Sequence, residues 1–230
     1  MTKRSYLNRM EKKRILCFGD SLTWGYNPET KTRFSEDQRW TGILADKLGD
    51  GFVVIEEGQN GRTIATDDPA EGEKNGIKYI IPCIESQSPV DLLILMLGSN
   101  DLKRKYSYAS IDIAGEMQLF LEKVIAYNHF RMQDKMEILL VSPPLIGDNI
   151  RNSWLGDCFD YERSYEVSRE LSEWYSKLAH IYHCRFMDAA EYAVVSPVDS
   201  AHLDTENHRK LAEAFYQKLK EEIYPESFPA

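Results

Sequence analysis

No stretch of this 230-residue chain stays apolar long enough to span a bilayer, and the basic opening MTKRSYLNRMEKKR is followed by no apolar run of signal-peptide length. Without either signal, a cytoplasmic protein with no membrane span is the expectation. Cysteine is scarce: Cys17, Cys83, Cys158 and Cys184 stand far apart, which excludes a spacing-defined disulfide framework. Cys17 lies inside an apolar run and reads as a small core side chain. Positive charge is short as well. Lys and Arg total 28 against 37 Asp and Glu, a formal charge of −9. That balance opposes a nucleic-acid partner, whose affinity comes from clustered cations neutralising phosphates. Internal repeats and low-complexity tracts are missing too.

What remains is an ordinary globular composition, 43% hydrophobic and 28% charged, sized for one domain over residues 1–230 with residues 1–13 as a basic tail. Five short apolar runs, RILCF, FVVIE, VDLLILML, MEILLVS and CRFMD, read as strands. Segments of helical period separate them, at Trp40–Leu48, Gly76–Ser86, Ala109–Tyr127 and Tyr161–His180, and a last one runs from about Glu206 to Ile223. Strict alternation of this kind, with strands apolar on both faces, predicts an α/β fold. The expected architecture is a three-layer αβα sandwich around a five-stranded parallel sheet, flavodoxin-like in the order 2-1-3-4-5.

Polar clusters follow the strands. GDSLTWG comes after the first, EGQNGRT after the second and GSND after the third, while DSAHLD lies between the fifth and the last helix. In an open parallel sheet these places share one edge, at the carboxyl ends of the strands, where ligands bind. Two long irregular loops, Tyr26–Trp40 and Pro143–Asp160, leave from the same edge and are read as functional. The segment DDPAEGEKNG, Asp67–Gly76, reads as a solvated polar turn without chemistry.

A phosphate loop does not fit GDSLTWG: Tyr26 stands where a Walker A lysine is needed, Ser21 replaces the middle glycine of a dinucleotide fingerprint, and Asp20 would repel phosphate. Acyl transfer fits better, because it needs a nucleophile, a base, an orienter for the base and oxyanion donors. Ser21 is the candidate nucleophile at a tight strand-to-helix turn, and His202 the candidate base. Asp199, three residues earlier, can reach the ring nitrogen facing away from Ser21. The N–H groups of Ser21 and Gly61 and the amide of Asn100 are candidate oxyanion donors, Gly61 offering close approach because it lacks a Cβ. Thr23 occupies a position that must be glycine in the α/β-hydrolase nucleophile elbow, so another hydrolase family is implied.

At these residues the chain resembles the SGNH hydrolases, the GDSL esterases and lipases: Ser21 in FGDSLTWG, Gly61 in EEGQNGRT, Asn100 in LGSND and His202 in DSAHLD. The resemblance runs from Lys13 to Ile223, and KRILCFGDSLTWGYNP, RWTGILADKLG and LLILMLGSND look most like the arylesterase and acyltransferase branch. It implies the SGNH hydrolase fold and a metal-independent, cofactor-free serine mechanism on small acyl esters of aryl, alkyl or sugar alcohols, with transfer to other alcohols. Ser21, Asp199 and His202 would be the triad, and Ser21, Gly61 and Asn100 the oxyanion hole. A homo-oligomer is also implied. Lysophospholipase or thioesterase activity is the alternative within the family, and a noncatalytic sugar- or nucleotide-binding module the alternative outside it. Ile146–Asp160 departs from the branch's pattern.

Rival assignments are specific. Ser99 and Ser200 are competing hydroxyls, and Asp188 is a competing orienter. Asp20 and Asp101 read as turn-stabilising carboxylates. Trp24 is either a core aromatic or a wall of the substrate pocket. HIYHC reads as a helix end entering a strand rather than a metal site, and His129 and His208 as solvent-exposed.

Overall fold

Successive residues of the central strands point to opposite sides of the sheet, and here both sides are apolar and covered. Ile15, Cys17, Leu92, Ile94, Leu139 and Val141 face one layer of helices, while Leu16, Phe18, Leu93, Leu95, Ile138 and Leu140 face the other. The strands are therefore continuous apolar runs instead of alternating ones. A computed structural model describes residues 12–228. Its five parallel strands are β1 (Lys13–Gly19), β2 (Phe52–Gly58), β3 (Leu92–Met96), β4 (Glu137–Ser142) and β5 (Arg185–Asp188), in the order β2-β1-β3-β4-β5. Sheet type, strand count and order are as the sequence implied. The tail reading lies outside the described residues except at its end, where Lys13 is already the first residue of β1.

Helices α2 (Trp40–Leu48) and α6 (Thr205–Lys218) cover one face, with Trp40, Leu44, Leu211 and Phe215 in the core. Helices α3 (Gly76–Gln87), α4 (Ser110–Tyr127) and α5 (Tyr161–Ile181) cover the other through Ile80, Phe120, Leu171 and Tyr175. Among the described residues no helix is long and apolar enough to cross a membrane. The last helical segment divides: α6 ends at Lys218 and a π-type turn continues over Leu219–Ile223. β2 is an edge strand and mostly half-buried, which lets it carry Glu56 and Glu57.

The strand order reverses beside β1, whose neighbours are β2 and β3. Connections on the two sides of that point leave toward opposite faces and open a crevice at the carboxyl edge. There β1 ends and the four-residue helix α1 (Ser21–Trp24) begins. Asp20 starts it by accepting the Leu22 N–H at 2.9 Å, as its turn reading expected. α1 lies directly on the end of β2, so close that a Cβ on Gly58 would fall 2.1 Å from the Trp24 nitrogen.

His208 is not solvent-exposed. Its α6 position faces α2, and the ring is fully buried, with Nδ1 accepting the Trp40 N–H at 3.3 Å at the start of α2. Phe34 packs edge-on against it at 5.2 Å. Burial pulls the imidazole down to about 3, so the ring is neutral. His129 is exposed and lies 2.9 Å from Asp134. In HIYHC, His180 stands in the last turn of α5 and Cys184 immediately precedes β5.

Candidate active site

Four loops and one short helix converge on the crevice. Ser21 opens α1, at the carboxyl end of β1, with its side chain turned to the edge rather than into the sheet. From the loop before α6 comes His202, whose Nε2 lies 2.9 Å from Ser21 Oγ across 181 positions of sequence. His202 Nδ1 is 2.6 Å from Asp199 Oδ2. Asp199 Oδ1 meanwhile accepts the N–H groups of Ala201 and His202 at 3.1 and 3.0 Å. Both carboxylate oxygens are thus occupied, and the side chain is fully buried. Burial pushes this carboxyl up, but the His202 ring and the two N–H groups outweigh it and hold the group below its ordinary value. Asp199 is ionised, and its bond to Nδ1 turns the ring so that Nε2 faces the serine hydroxyl.

The rival groups stand elsewhere. Asp188 ends β5 and accepts the Ala190 N–H at 3.0 Å, capping a short turn. Ser200 belongs to the backbone of the Asp199–His202 loop, whose carbonyl takes the Gly147 N–H at 2.8 Å. Ser99 lines the cavity but makes no hydrogen bond to the imidazole.

Gly61 has φ +82°, a left-handed conformation that favours glycine. The notional direction of its Cβ points at Glu71 Oε2, 2.6 Å away. Glycine is needed there for its backbone conformation and for the packing of Glu71, beyond mere closeness to a substrate. Asn100 directs its Nδ2 to the Arg62 carbonyl at 3.1 Å, with Asp20 Oδ2 at 3.4 Å. That contact joins the turn after β3 to the loop after β2. Arg62 is itself buried over the Phe18 ring at 4.1 Å, and its Nη1 donates to the carbonyls of Gly19, at 2.8 Å, and Glu57. One guanidinium therefore ties together the carboxyl ends of β1 and β2.

Ser21, Gly61, Asn100 and His202 all line one cavity of about 420 Å³. Trp24 does not line it. As the last residue of α1, it turns to the Arg33 guanidinium at 5.4 Å, and Tyr26 takes the place beside the site, its ring 4.4 Å from that of His202. Trp154 stands 6.2 Å from Tyr26 at the mouth. Ile146, Leu155 and Phe159, from the long loop after β4, supply an apolar wall.

The opposite wall is polar and comes partly from the segment read as an inert turn. Glu71 and Lys74 line the cavity, and Glu71 accepts from Lys103 at 2.6 Å and Lys105 at 3.0 Å. Asp68 is buried beneath, bonded to Lys105 and, at 2.6 Å, to the Tyr106 hydroxyl. Asp67–Gly76 is thus part of the site, and the correction has a plain cause: its carboxylates find cations contributed by the loop after β3. Tyr26, Trp154 and these charged groups were missed because no local pattern marks them. Their signal was their placement on loops leaving the same edge.

A family model for the GDSL-like lipase/acylhydrolase family matches residues 17–214. Among solved structures, the native aryl esterase of M. smegmatis is 37% identical, with a TM-score of 0.83 over 90% of this chain and 98% of that one. A carbohydrate acetylesterase from Sinorhizobium meliloti is 34% identical, with a TM-score of 0.83 over 90% and 98% of the two chains. A comparison with curated proteins returns no match. With four motif blocks gathered around one cavity and a family model matched across most of its length, the chain belongs to the GDSL-like lipase/acylhydrolase family.

Proposed function

We propose that this protein is a serine esterase that hydrolyses small acyl esters of aryl, alkyl or sugar alcohols. The observation that carries the reading is the continuous chain from Ser21 Oγ to His202 Nε2, 2.9 Å, and from His202 Nδ1 to Asp199 Oδ2, 2.6 Å. In this mechanism Ser21 attacks the ester carbonyl while His202 takes its proton, and Asp199 stabilises the imidazolium formed. The N–H groups of Ser21 and Gly61 and the Asn100 amide receive the developing oxyanion. Asn100 shares its donors with Arg62 and Asp20 at rest, and catalytic hydrogen bonds commonly tighten only with substrate in place. His202 then returns the proton to the leaving alcohol, and water resolves the acyl-enzyme.

Substrate size follows from the cavity, whose apolar wall suits a short acyl chain and whose Tyr26 and Trp154 rings suit a flat or sugar-like alcohol. The names of the similar structures, aryl esterase and carbohydrate acetylesterase, support the same choice. Acyl transfer, with an alcohol replacing water, is part of the proposal; product esters formed in aqueous butanol would report it. So is a homo-oligomer, which sedimentation velocity would count. A cytoplasmic location accords with four free thiols among the described residues and is tested by fractionation.

The deciding experiment is turnover of p-nitrophenyl acetate by the wild type and Ser21→Ala. Loss of the nucleophile is expected to cost on the order of a millionfold in kcat. Equal slow release by both proteins would overturn the reading and favour a binding module.

A further inference from the structure

Asp101 follows Asn100 yet faces inward. It is fully buried, and its Oδ1 accepts the Ile64 N–H at 3.1 Å, while Oδ2 is buried without a protein donor among the described residues. The next amide along, Ala65, donates to Glu116 Oε2 of α4 at 3.2 Å, and the Thr66 hydroxyl donates to Oε1. Two successive N–H groups, a few residues past Gly61, are thus held by two carboxyl groups from distant parts of the chain, and Glu116 is the charged neighbour that Asp101 feels.

Two carboxylates sharing a buried contact cannot both stay ionised. Among the described residues no cation is bonded to either carboxyl. Arg163 of α5, the nearby guanidinium, is spent on the carbonyls of Tyr108 and Leu102 at 2.6 and 2.7 Å. The other titratable groups that feel Asp101 are the phenols of Tyr106 and Tyr108 in the loop after β3 and Tyr175 of α5. Glu116 is half-exposed and receives both an N–H and a hydroxyl, so its oxygens are the better-supplied acceptors. Asp101 is enclosed and has one N–H, so it keeps the proton. Burial first, and the Glu116 charge second, drive its carboxyl well above the usual carboxylate range.

We propose that Asp101 is a neutral carboxylic acid whose Oδ2–H donates to the Glu116 carboxylate, and that this shared proton is a positioning element for the oxyanion hole. It clamps the loop of Gly61 to the turn of Asn100, alongside the Asn100 bond to the Arg62 carbonyl. Asp101 touches no reacting atom; it acts through its two neighbours. The inference rests on the reading of Gly61 and Asn100 as oxyanion donors.

The test compares Asp101→Asn with Asp101→Leu on p-nitrophenyl acetate, together with infrared spectra of the wild type and the Asn variant at neutral pH. Asn keeps an acceptor for Ile64 and offers an amide N–H in place of the acid O–H, so kcat/KM is expected to stay within about threefold of wild type. Leu offers neither, and misplaced oxyanion donors should lower kcat on the order of tenfold or more with KM little changed. The wild type should show the carbonyl stretch of a protonated carboxylic acid, absent from Asp101→Asn. The proposal is overturned if the folded Asn variant is as impaired as the Leu variant, or if that band is missing. Should Leu prevent folding, the Asn kinetics and the infrared band decide. If Ser21→Ala and the wild type hydrolyse alike, the esterase reading has failed, whereas the infrared band still reports on the shared proton.

Discussion

Asp199 does two jobs with two oxygens: one fixes the imidazole of His202, and the other accepts the two N–H groups that shape the loop presenting it. Replacing it with Asn keeps the size but offers an amide N–H where the ring needs an acceptor, so the wrong tautomer of His202 would face Ser21. Steady-state kinetics of Asp199→Asn should show kcat lower by roughly ten-thousandfold with the protein still folded. A loss below about tenfold would mean that another group orients the ring. Sequence spacing favoured Asp199 over Asp188, and the structure supplies the reason. Three residues is the span of a single turn that returns a carboxylate to its own histidine, while Asp188 is occupied in starting the turn after β5. Trp24 and Tyr26 carry the opposite lesson. Both are aromatic and close to Ser21, and which of them reaches the cavity depends on how the chain leaves α1.

Helices α2 and α6 meet through a neutral ring. His208 accepts the first N–H of α2, in a position where a charged imidazole would lose the acceptor and stay unsolvated. The folded protein holds this group at about 3; the unfolded chain holds it near 6.5. Between those values the unfolded state binds the extra proton. The stabilising contribution is therefore whole above about pH 6.5 and is lost as pH falls, at up to about 1.4 kcal/mol per pH unit. Urea unfolding at several pH values should show this slope, and His208→Asn, whose Oδ1 can replace Nδ1, should flatten it. A second element-scale test concerns the contact of α1 with β2. Gly58→Val would drive a side chain into the Trp24 backbone and lift Ser21 off its register, so both melting temperature and esterase activity should drop. A variant with wild-type activity would show that α1 has room to shift.

At the scale of the whole molecule, the cavity is assembled from loops that follow different strands, and its mouth is marked by Trp154, 49% exposed. Trp154→Ala should raise KM for aryl esters roughly two- to tenfold, as expected for losing one aromatic contact of about 0.5–1.5 kcal/mol, with kcat and melting temperature little changed. Unchanged KM would place the alcohol group elsewhere in the cavity. The apolar runs of β1, β3 and β4, set among alternating helical segments, pointed by themselves to a parallel sheet, because only strands covered on both faces can be apolar throughout. Connection handedness and the alternating segments left few orders open, and the observed one was among them. Ser21, Gly61, Asn100, Asp199 and His202 were legible as candidates, since each sits in a short local pattern, and the structure gathers them around one cavity. Only the tertiary structure decided what surrounds them: that Glu71 packs on Gly61, that Tyr26 rather than Trp24 faces His202, that Asp101 and Glu116 take successive amides of one loop, and that His208 is buried. Each of these depends on the angles at which loops leave the sheet edge, and no local spacing encodes such an angle.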